Sequence, residues 1–161
     1  MGDGGFTHLD EAGRPRMVDV GDKAVTTRTA TARAIVEFPA DVIVRSGETL
    51  RTKKGPVFDT AIIAGVMAAK RTAELIPLCH PLPLTSVEVE LTADEALPGL
   101  RAVATAKVEG KTGVEMEALT AVSCSLLTVY DMCKARDRGM EISGIRLLSK
   151  EGGRSGSWSV A

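Results

Sequence analysis

The order of strand and helix patterns along this chain predicts an α+β fold. Four segments alternate apolar with polar residues, and the turn-forming sequence "EALPG" joins two of them as a hairpin. Helical patterns separate the other segments, which gives the order β, α(α), β, β, α, β. This is the split βαβ, ferredoxin-like arrangement, in which helices pack on one face of an antiparallel sheet.

The first strand is predicted at residues 31–38, "TARAIVEF". Two sets of side chains alternate there, namely Ala32, Ala34, Val36 and Phe38 on one face and Arg33, Ile35 and Glu37 on the other. Pro39 is expected to open a short helix, "ADVIVR", that Gly47 closes. A basic loop, "RTKKGPVF", follows.

A helix is predicted over residues 57–76, because this stretch is rich in Ala, Ile and Met and Pro77 stops it. Its small residues would let another backbone approach closely; they are Ala61, Ala64, Gly65, Ala68 and Ala69. The hairpin comes next, with strands at 86–94 and 100–110. Oligomerisation commonly covers the exposed face and edges of such a sheet.

A long helix is predicted over residues 114–138, with Thr112 and Glu115 as a capping box and Gly139 at its end. Its apolar side, expected to pack on the sheet, consists of Val114, Ala118, Ala121, Val122, Ser125, Val129 and Met132. Another side carries Glu117, Thr120, Cys124, Thr128 and Asp131. The last strand is predicted at 142–150, before a Gly/Ser-rich tail.

The length of 161 residues suits one domain, which we place at residues 17–161 after a flexible N-terminal arm at 1–16. The arm is polar and Gly-rich, unlike a signal peptide, and no apolar run has the length of a membrane span. Three cysteines without paired spacing make a disulfide framework improbable and fit a reducing cytoplasm. We therefore expect a soluble, cytoplasmic protein.

Charge and composition argue against nucleic acid as a partner. Twenty Lys and Arg balance 21 Asp and Glu, for a net charge of −1, and aromatic residues make up only 3%. An anion site would have to come from local clusters of cations instead. Such residues lie in or beside Gly-rich loops, at Arg28, Lys53–Lys54, Lys111, Lys150 and Arg154. Ordinary solvated loop lysines are the alternative.

Two acid–base patterns lie on the long helix. Asp131 and Lys134 are three residues apart, so their side chains can meet, although such a spacing is also typical of a surface ion pair. Glu115 and Glu117, near the start of the helix, could bind a cation or an amino group, or Glu115 could serve the helix cap alone.

The segment "ELIPLCHPLPL" holds Cys79 beside His80 among three prolines. Adjacent residues of an extended segment point to opposite sides, and His8 is the one other histidine, so a shared metal ion is disfavoured. A buried histidine bonded to backbone and a rigid substrate contact both remain possible.

Several blocks of the chain strongly resemble the MoaC family, the cyclic pyranopterin monophosphate synthases of molybdenum cofactor biosynthesis. They are "MVDV", "KGPVFDTAIIAGVMAAKRTAELIPLCHPLPLTSVEVE", "KTGVEMEALTAVSCSLLTVYDMCKA" and "IRLLSKEGGRSG". The resemblance runs from about residue 7 to 157 and is loose over 39–53.

The resemblance implies a lyase that converts cyclised dihydro-GTP, made by an upstream radical enzyme, into cyclic pyranopterin monophosphate and pyrophosphate. It implies acid–base catalysis with no cofactor and no metal. It also implies a homo-oligomer, a hexamer built as a trimer of dimers, with sites at subunit interfaces. The alternatives are a non-catalytic ferredoxin-like module that binds a nucleotide or anion, and a metal enzyme.

The same resemblance implies the site residues. The catalytic set is Lys54, Asp131 and Lys134, with the lysines moving protons during ring opening and closure. The substrate-binding set is Arg28, Cys79, His80, Glu115, Met116, Glu117 and Lys150. Within it Arg28, His80 and Lys150 would hold phosphate or ribose oxygens, and the two glutamates would accept guanine N–H groups. Cys79 belongs to the motif, but its side chain is interpreted as packing.

Overall fold

The protein folds as an antiparallel sheet with helices on one face. The computed structural model describes residues 9–38, 50–94, 96 and 98–160. Its elements are β1 (Thr26–Glu37), β2 (Arg51–Thr52), β3 (Gly55–Pro56), α1 (Val57–Lys70), α2 (Thr72–Leu75), β4 (Leu84–Asp94), β5 (Gly99–Gly110), α3 (Glu115–Cys133), β6 (Glu141–Glu151) and β7 (Trp158–Ser159). The short helix expected after Pro39 lies outside the described residues.

The main sheet has the strand order β4-β5-β1-β6-β7, and each neighbouring pair is antiparallel. Its four long strands and the helices between them follow the split βαβ connectivity, so the predicted ferredoxin-like α+β fold is confirmed. β2 and β3 form a separate two-stranded ribbon that leads into α1. The predicted hairpin of β4 and β5 is also confirmed.

The core lies between the sheet and α3. The inward-facing residues of the two central strands are mostly alanine, at Ala30, Ala32, Ala34, Ala102, Ala104 and Ala106, and none is more than 1% exposed. These small side chains let α3 come close to the sheet, where it buries the side that the sequence predicted to be apolar. The same helix packs against α1 on its other flank.

The predicted helix over 57–76 is wrong at its end, because α1 stops at Lys70 and a separate single turn, α2, follows. The buried Thr72 hydroxyl donates hydrogen bonds to the carbonyls of Ala68 and Ala69, and the Arg71 N–H bonds to the same Ala68 carbonyl. The local side chain thus satisfies the last carbonyl groups of α1, which allows the chain to leave the helix before Pro77.

Both predicted ends of the long helix need correction. Val114 is the N-cap residue of α3 and no side chain caps the first turn, so the Thr112–Glu115 capping box is wrong. Glu115 is the first helical residue of α3, whereas the glutamate of a capping box is the third helical residue. At the other end α3 stops at Cys133 and not at Arg138. The Tyr130 hydroxyl donates to the Arg138 carbonyl at 2.9 Å and holds the chain in a turn there.

Part of the predicted N-terminal arm, residues 9–16, forms a small turn in which Asp10 accepts hydrogen bonds from the N–H groups of Ala12 and Arg14. The arm as a whole stays a prediction, since residues 1–8 are outside the described range. Within the described residues, no helix is long and apolar enough to cross a membrane.

Candidate active site

Two lysines meet one carboxylate at the C-terminal end of α3. Lys54 comes from the turn between β2 and β3, and its Nζ lies 2.6 Å from Oδ2 of Asp131 and 3.1 Å from the Asp131 carbonyl oxygen. Lys134, one residue beyond α3, places its Nζ 2.8 Å from Oδ1. We call Lys54, Asp131 and Lys134 the lysine cluster. The spacing on the helix predicts the Lys134 contact, whereas the Lys54 contact joins residues far apart in the sequence.

The lysine cluster is a charged, solvent-facing group of side chains, each about half exposed. The hydrogen bond from Lys134, followed by the one from Lys54, lowers the pKa of Asp131 to about 2. The carboxylate is therefore ionised and each of its oxygens is held by one ammonium group. The cluster carries a net positive charge and presents N–H donors to an adjacent cavity.

That cavity has a volume of about 500 Å³ and is also lined by Lys53. Its other lining residues are Thr52 of β2, Met132 of α3, and Ala135, Arg136 and Arg138 from the turn after α3. Lys54 makes the direct contacts with Asp131, so of the two adjacent lysines it is the one built into the cluster.

A second group of predicted residues surrounds the N-terminal end of α3. The glutamate cavity, about 350 Å³, is lined by Val18, Val20, Lys23, Leu78, Cys79, His80, Leu82, Thr112, Gly113, Glu115, Met116 and Glu117. The segment after α2 supplies His80 and Cys79, and the first turn of α3 supplies Glu115, Met116 and Glu117. The fold therefore brings together most of the predicted substrate-binding set.

Glu117 is the buried acid of this cavity, with 4% of its surface exposed. Burial, with a smaller contribution from the charge of Glu115, raises its pKa to about 7. Burial also raises the pKa of the neighbouring Cys79 thiol, and the charge of Glu117 acts in the same direction. Near neutral pH Glu117 can thus either donate or accept a proton, while Cys79 stays a thiol.

Arg28 and Lys150 line a smaller cavity of about 150 Å³ that adjoins the glutamate cavity, and Lys23, Thr112, Gly113 and Glu115 line both. Arg28 Nε donates to the Gly110 carbonyl at 2.9 Å, and Lys150 Nζ contacts the Ser155 hydroxyl. We call this the arginine cavity. A fourth cavity, the tail cavity of about 500 Å³, is also lined by Arg28. Its lining is Asp22, Lys23, Ala24, Thr26, Arg28, Gly153, Arg154 and Ser155.

The paired glycines after β6 allow the tail to pass directly over Arg28. Gly152 and Gly153 have φ angles of +92° and +74°, which favour glycine. A Cβ at Gly153 would overlap the Arg28 guanidinium, and one at Gly152 would overlap the Thr27 carbonyl oxygen. Gly152 and Gly153 of "KEGGRSG" are therefore required for this packing.

The two groups of predicted residues lie at opposite ends of α3. Fourteen residues of helix separate Glu117 from Asp131, which corresponds to about 21 Å along the axis. One chain thus holds the catalytic set and the substrate-binding set apart. Sequence reasoning did not single out Lys23, which lines three of these cavities and lies in a loop without periodicity.

In the described part of the chain, no three His, Cys, Asp or Glu side chains are grouped so that they could hold a metal ion. The three cysteines are free thiols, at Cys79, Cys124 and Cys133. Fold and side chains together define a ferredoxin-like α+β protein with an acid–base cluster and cation-lined cavities.

The chain belongs to the MoaC family, whose model matches residues 17–153. A relative from Cereibacter sphaeroides (strain KD131 / KCTC 12085) is 59% identical over 157 residues, which cover 98% of each chain. Relatives from Methylobacterium sp. (strain 4-46) and Methylobacterium nodulans are 61% and 62% identical over 157 residues, with 96% of each chain covered. All three carry the name cyclic pyranopterin monophosphate synthase.

Proposed function

We propose that this protein is a cyclic pyranopterin monophosphate synthase. It converts cyclised dihydro-GTP into cyclic pyranopterin monophosphate and pyrophosphate, as an early step of molybdenum cofactor biosynthesis. The observation that carries the proposal is the lysine cluster in a chain of this family, because two ammonium groups fixed on one carboxylate provide proton donors beside a cavity. The names of the relatives point to the same reaction.

The reaction proceeds by acid–base catalysis and belongs to the lyases. Lys54 and Lys134 transfer protons as the imidazole ring of the purine opens and the pterin ring closes, and Asp131 keeps both ammonium groups in place. Glu117 and Glu115 accept N–H groups of the guanine-derived ring, and Glu117 can exchange a proton with it near neutral pH. Arg28, His80 and Lys150 hold phosphate or ribose oxygens.

The site is formed by two subunits. Since about 21 Å of helix separates the lysine cluster from Glu117, the substrate contacts the glutamate cavity of one chain and the lysine cluster of its partner. Exposed apolar side chains on the helices support association, including Ile63 and Met67, four residues apart on α1, and Leu127 on α3. We infer a homo-hexamer, a trimer of dimers, that acts in the cytoplasm on the product of an upstream radical enzyme.

The rival proposal, a non-catalytic module that binds a nucleotide or anion, expects basic loops without a lysine–carboxylate pair directed at the ligand. The ion pairs of Asp131 with Lys54 and Lys134 at a cavity disagree with that expectation. A module would also have no use for a buried carboxylic acid with a pKa near neutrality.

Turnover tests the proposal. The purified protein is incubated with cyclised dihydro-GTP, and we expect one pyrophosphate and one oxidisable, fluorescent pterin for each substrate consumed. Lys134→Ala should abolish pterin formation and leave the circular dichroism spectrum unchanged, because Lys134 is exposed and its ion pair contributes little to stability. Stoichiometric binding without pyrophosphate release would favour the module, and retained turnover in Lys134→Ala would refute the assigned role.

A further inference from the structure

The turn after α3 forms one wall of the cavity beside the lysine cluster. It begins at Lys134 and supplies Ala135, Arg136 and Arg138 to the lining. The backbone of Lys134 is still bonded to the helix, because its N–H donates to the Tyr130 carbonyl at 2.9 Å. The residues that follow have left the helix, so their positions depend on the contacts of the turn itself.

Like charges lie close together in this turn. Lys134, Arg136 and Arg138 carry positive charges within five residues, and Asp137 is the one carboxylate among them. All three cationic side chains are exposed. The negative end of the α3 dipole favours cations at this position, but the cations repel one another. A closed turn therefore requires contacts that oppose this repulsion.

The backbone of the turn makes short-range contacts. The N–H groups of Arg136 and Asp137 bond to the Cys133 carbonyl at 2.8 and 3.4 Å, and the Gly139 N–H bonds to Oδ1 of Asp137 at 2.7 Å. Gly139 does not have the positive φ that a glycine commonly adopts after a helix. All of these contacts lie between residues 133 and 139, so none of them joins the far end of the turn to the body of α3.

The Tyr130 hydroxyl makes that connection. It donates to the Arg138 carbonyl at 2.9 Å, eight residues further along the chain. The tyrosine ring is partly buried against the hydrophobic core, which fixes the hydroxyl from the side of the helix. The next residue is Asp131, which holds both ammonium groups of the lysine cluster. The hydroxyl thus joins the wall of the cavity to the helical turn that carries the carboxylate.

We propose that Tyr130 is a positioning residue for the lysine cluster, and that its hydroxyl keeps Lys134 and the cavity wall in place for proton transfer. The inference rests on the proposed function, because it requires the lysines to act on the substrate. Without the hydroxyl, repulsion between the cations moves the Arg138 end of the turn outward, and Lys134 at its start loses its fixed geometry. Proton transfer is then slower, because it requires donor and acceptor within hydrogen-bond reach.

Tyr130→Phe tests this role, since it removes the hydroxyl and keeps the ring. The kcat for cyclised dihydro-GTP should fall by about three- to tenfold, the change that corresponds to one net hydrogen bond. The KM should change by less than about twofold, because the substrate-binding set lies at the other end of α3. Ser123→Ala is the matched control and should leave kcat unchanged. Ser123 Oγ donates to the Leu119 carbonyl at 2.7 Å within α3, and Ser123 lines none of the described cavities.

Asp131 reports on the position of Lys134 without turnover. Its pKa of about 2 depends first on the hydrogen bond from Lys134 and then on the one from Lys54. In Tyr130→Phe this pKa should rise toward its ordinary value of 3.8, whereas Ser123→Ala should leave it unchanged. It is measured by NMR on isotope-labelled aspartate, with Asp131→Asn to assign the signal, over the pH range in which the circular dichroism spectrum stays native.

A purely structural role of Tyr130 would lower the melting temperature of Tyr130→Phe and leave both kcat and the pKa of Asp131 unchanged. An unchanged pKa of Asp131 overturns the inference whether or not the wild type has turnover, and so does a wild-type kcat in Tyr130→Phe. If the wild type has no turnover but the pKa of Asp131 rises in Tyr130→Phe, the proposed function fails and the positioning of Lys134 by Tyr130 stands.

Discussion

At the scale of single residues, Glu117 is a carboxyl group that the fold keeps out of water. It lies in the first turn of α3 and lines the same cavity as Cys79 and His80. Burial of an acid disfavours its charged form, which is why its pKa rises to about 7. The buried acid lies at a cavity wall and not in the centre of the core. This position is expected for a group that exchanges protons with a ligand.

Glu117 should make the free energy of unfolding depend on pH. Its folded pKa of about 7 exceeds its ordinary value of 4.5, so the folded state binds more protons than the unfolded state between these values. The contribution to stability is complete below pH 4.5 and disappears as pH rises through 7. We expect a loss of at most about 3 kcal/mol over this range, measured by urea unfolding at fixed protein concentration.

Glu117→Gln is the control for that measurement, because the amide preserves the shape and cannot titrate. Its free energy of unfolding should lack the decrease that wild type shows between about pH 5 and about pH 8. Parallel curves for the two proteins would mean that Glu117 is ionised in the folded state with an ordinary pKa.

Asp131→Asn should reduce turnover by about 100-fold or more and leave the fold intact. The carboxylate holds both ammonium groups at 2.6 and 2.8 Å, and an amide would leave them to repel each other. The group is half exposed, so the melting temperature should hardly change. The kcat and the melting temperature are measured together, with Asp59→Asn, an exposed change on α1, as the control. Wild-type kcat in Asp131→Asn would exclude this role for the carboxylate.

The residues of the site differ in how far the sequence could predict them. Helical spacing predicts the contact of Asp131 with Lys134, because it depends only on local geometry. The contact of Lys54 with Asp131 joins residues 77 positions apart, and only the family resemblance pointed to both. Lys23 carries no signal of either kind, since its place in the lining of three cavities depends on which loops meet around it.

At the scale of elements, α1 and α3 touch through Gly65. A Cβ at this position would lie 3.0 Å from the Ala121 carbonyl oxygen and 3.2 Å from Cγ2 of Val89. The first of these neighbours is helix backbone, which cannot move aside like a flexible side chain. The sequence signal for this contact was the run of small residues in the predicted helix, and it located the helix crossing correctly.

Gly65→Ala should therefore destabilise the protein, although alanine is the better helix former by about 1 kcal/mol. We expect the overpacking cost of about 1–3 kcal/mol to exceed that gain, as measured by chemical unfolding. Ala64→Gly, at the partly buried neighbouring position, is the control. It should destabilise the protein by the difference in helix propensity between alanine and glycine alone. If Gly65→Ala stabilises by as much as Ala64→Gly destabilises, the two helices are not in contact at this glycine.

Helix ends were less predictable than helix identity or strand pairing. Apolar and polar residues alternate in β4 and β5 because every second residue faces the core. The structure confirms the predicted pairing of these two strands. The ends of α1 and α3 depend instead on single side chains, because the Thr72 hydroxyl bonds to the Ala69 carbonyl and the Tyr130 hydroxyl to the Arg138 carbonyl. The presence of a threonine or tyrosine in the sequence does not by itself predict a hydrogen bond from its hydroxyl to a backbone carbonyl.

At the scale of the whole molecule, the separation of the two groups of predicted site residues bears on the proposed assembly. The lysine cluster and the glutamate cavity belong to the same rigid helix, so no loop movement within one chain can bring them together. We propose that two subunits share the site, so that one substrate contacts the glutamate cavity of one chain and the lysine cluster of the other. A symmetric dimer would then contain two such sites, each formed by the lysine cluster of one chain and the glutamate cavity of the other.

Mixed oligomers of two inactive variants should recover activity. Lys134→Ala leaves the glutamate cavity intact, and Glu117→Gln leaves the lysine cluster intact. When the two variants are co-expressed with different tags and purified together, random assembly gives intact sites at about a quarter of the positions, because each cluster is drawn independently from either chain. We expect pyrophosphate release at about one quarter of the wild-type rate per site.

The matched control combines Lys134→Ala with Lys54→Ala. Both changes affect the lysine cluster, which one chain supplies as a unit through the contacts of Asp131, so no hybrid site contains an intact cluster and activity should not return. Recovery of activity in the first mixture but not in the second would mean that the lysine cluster and the glutamate cavity of each site belong to different chains. Equal inactivity of both mixtures, in hybrids of verified composition, would show instead that one chain supplies both groups and that the helix separation is bridged by the substrate itself.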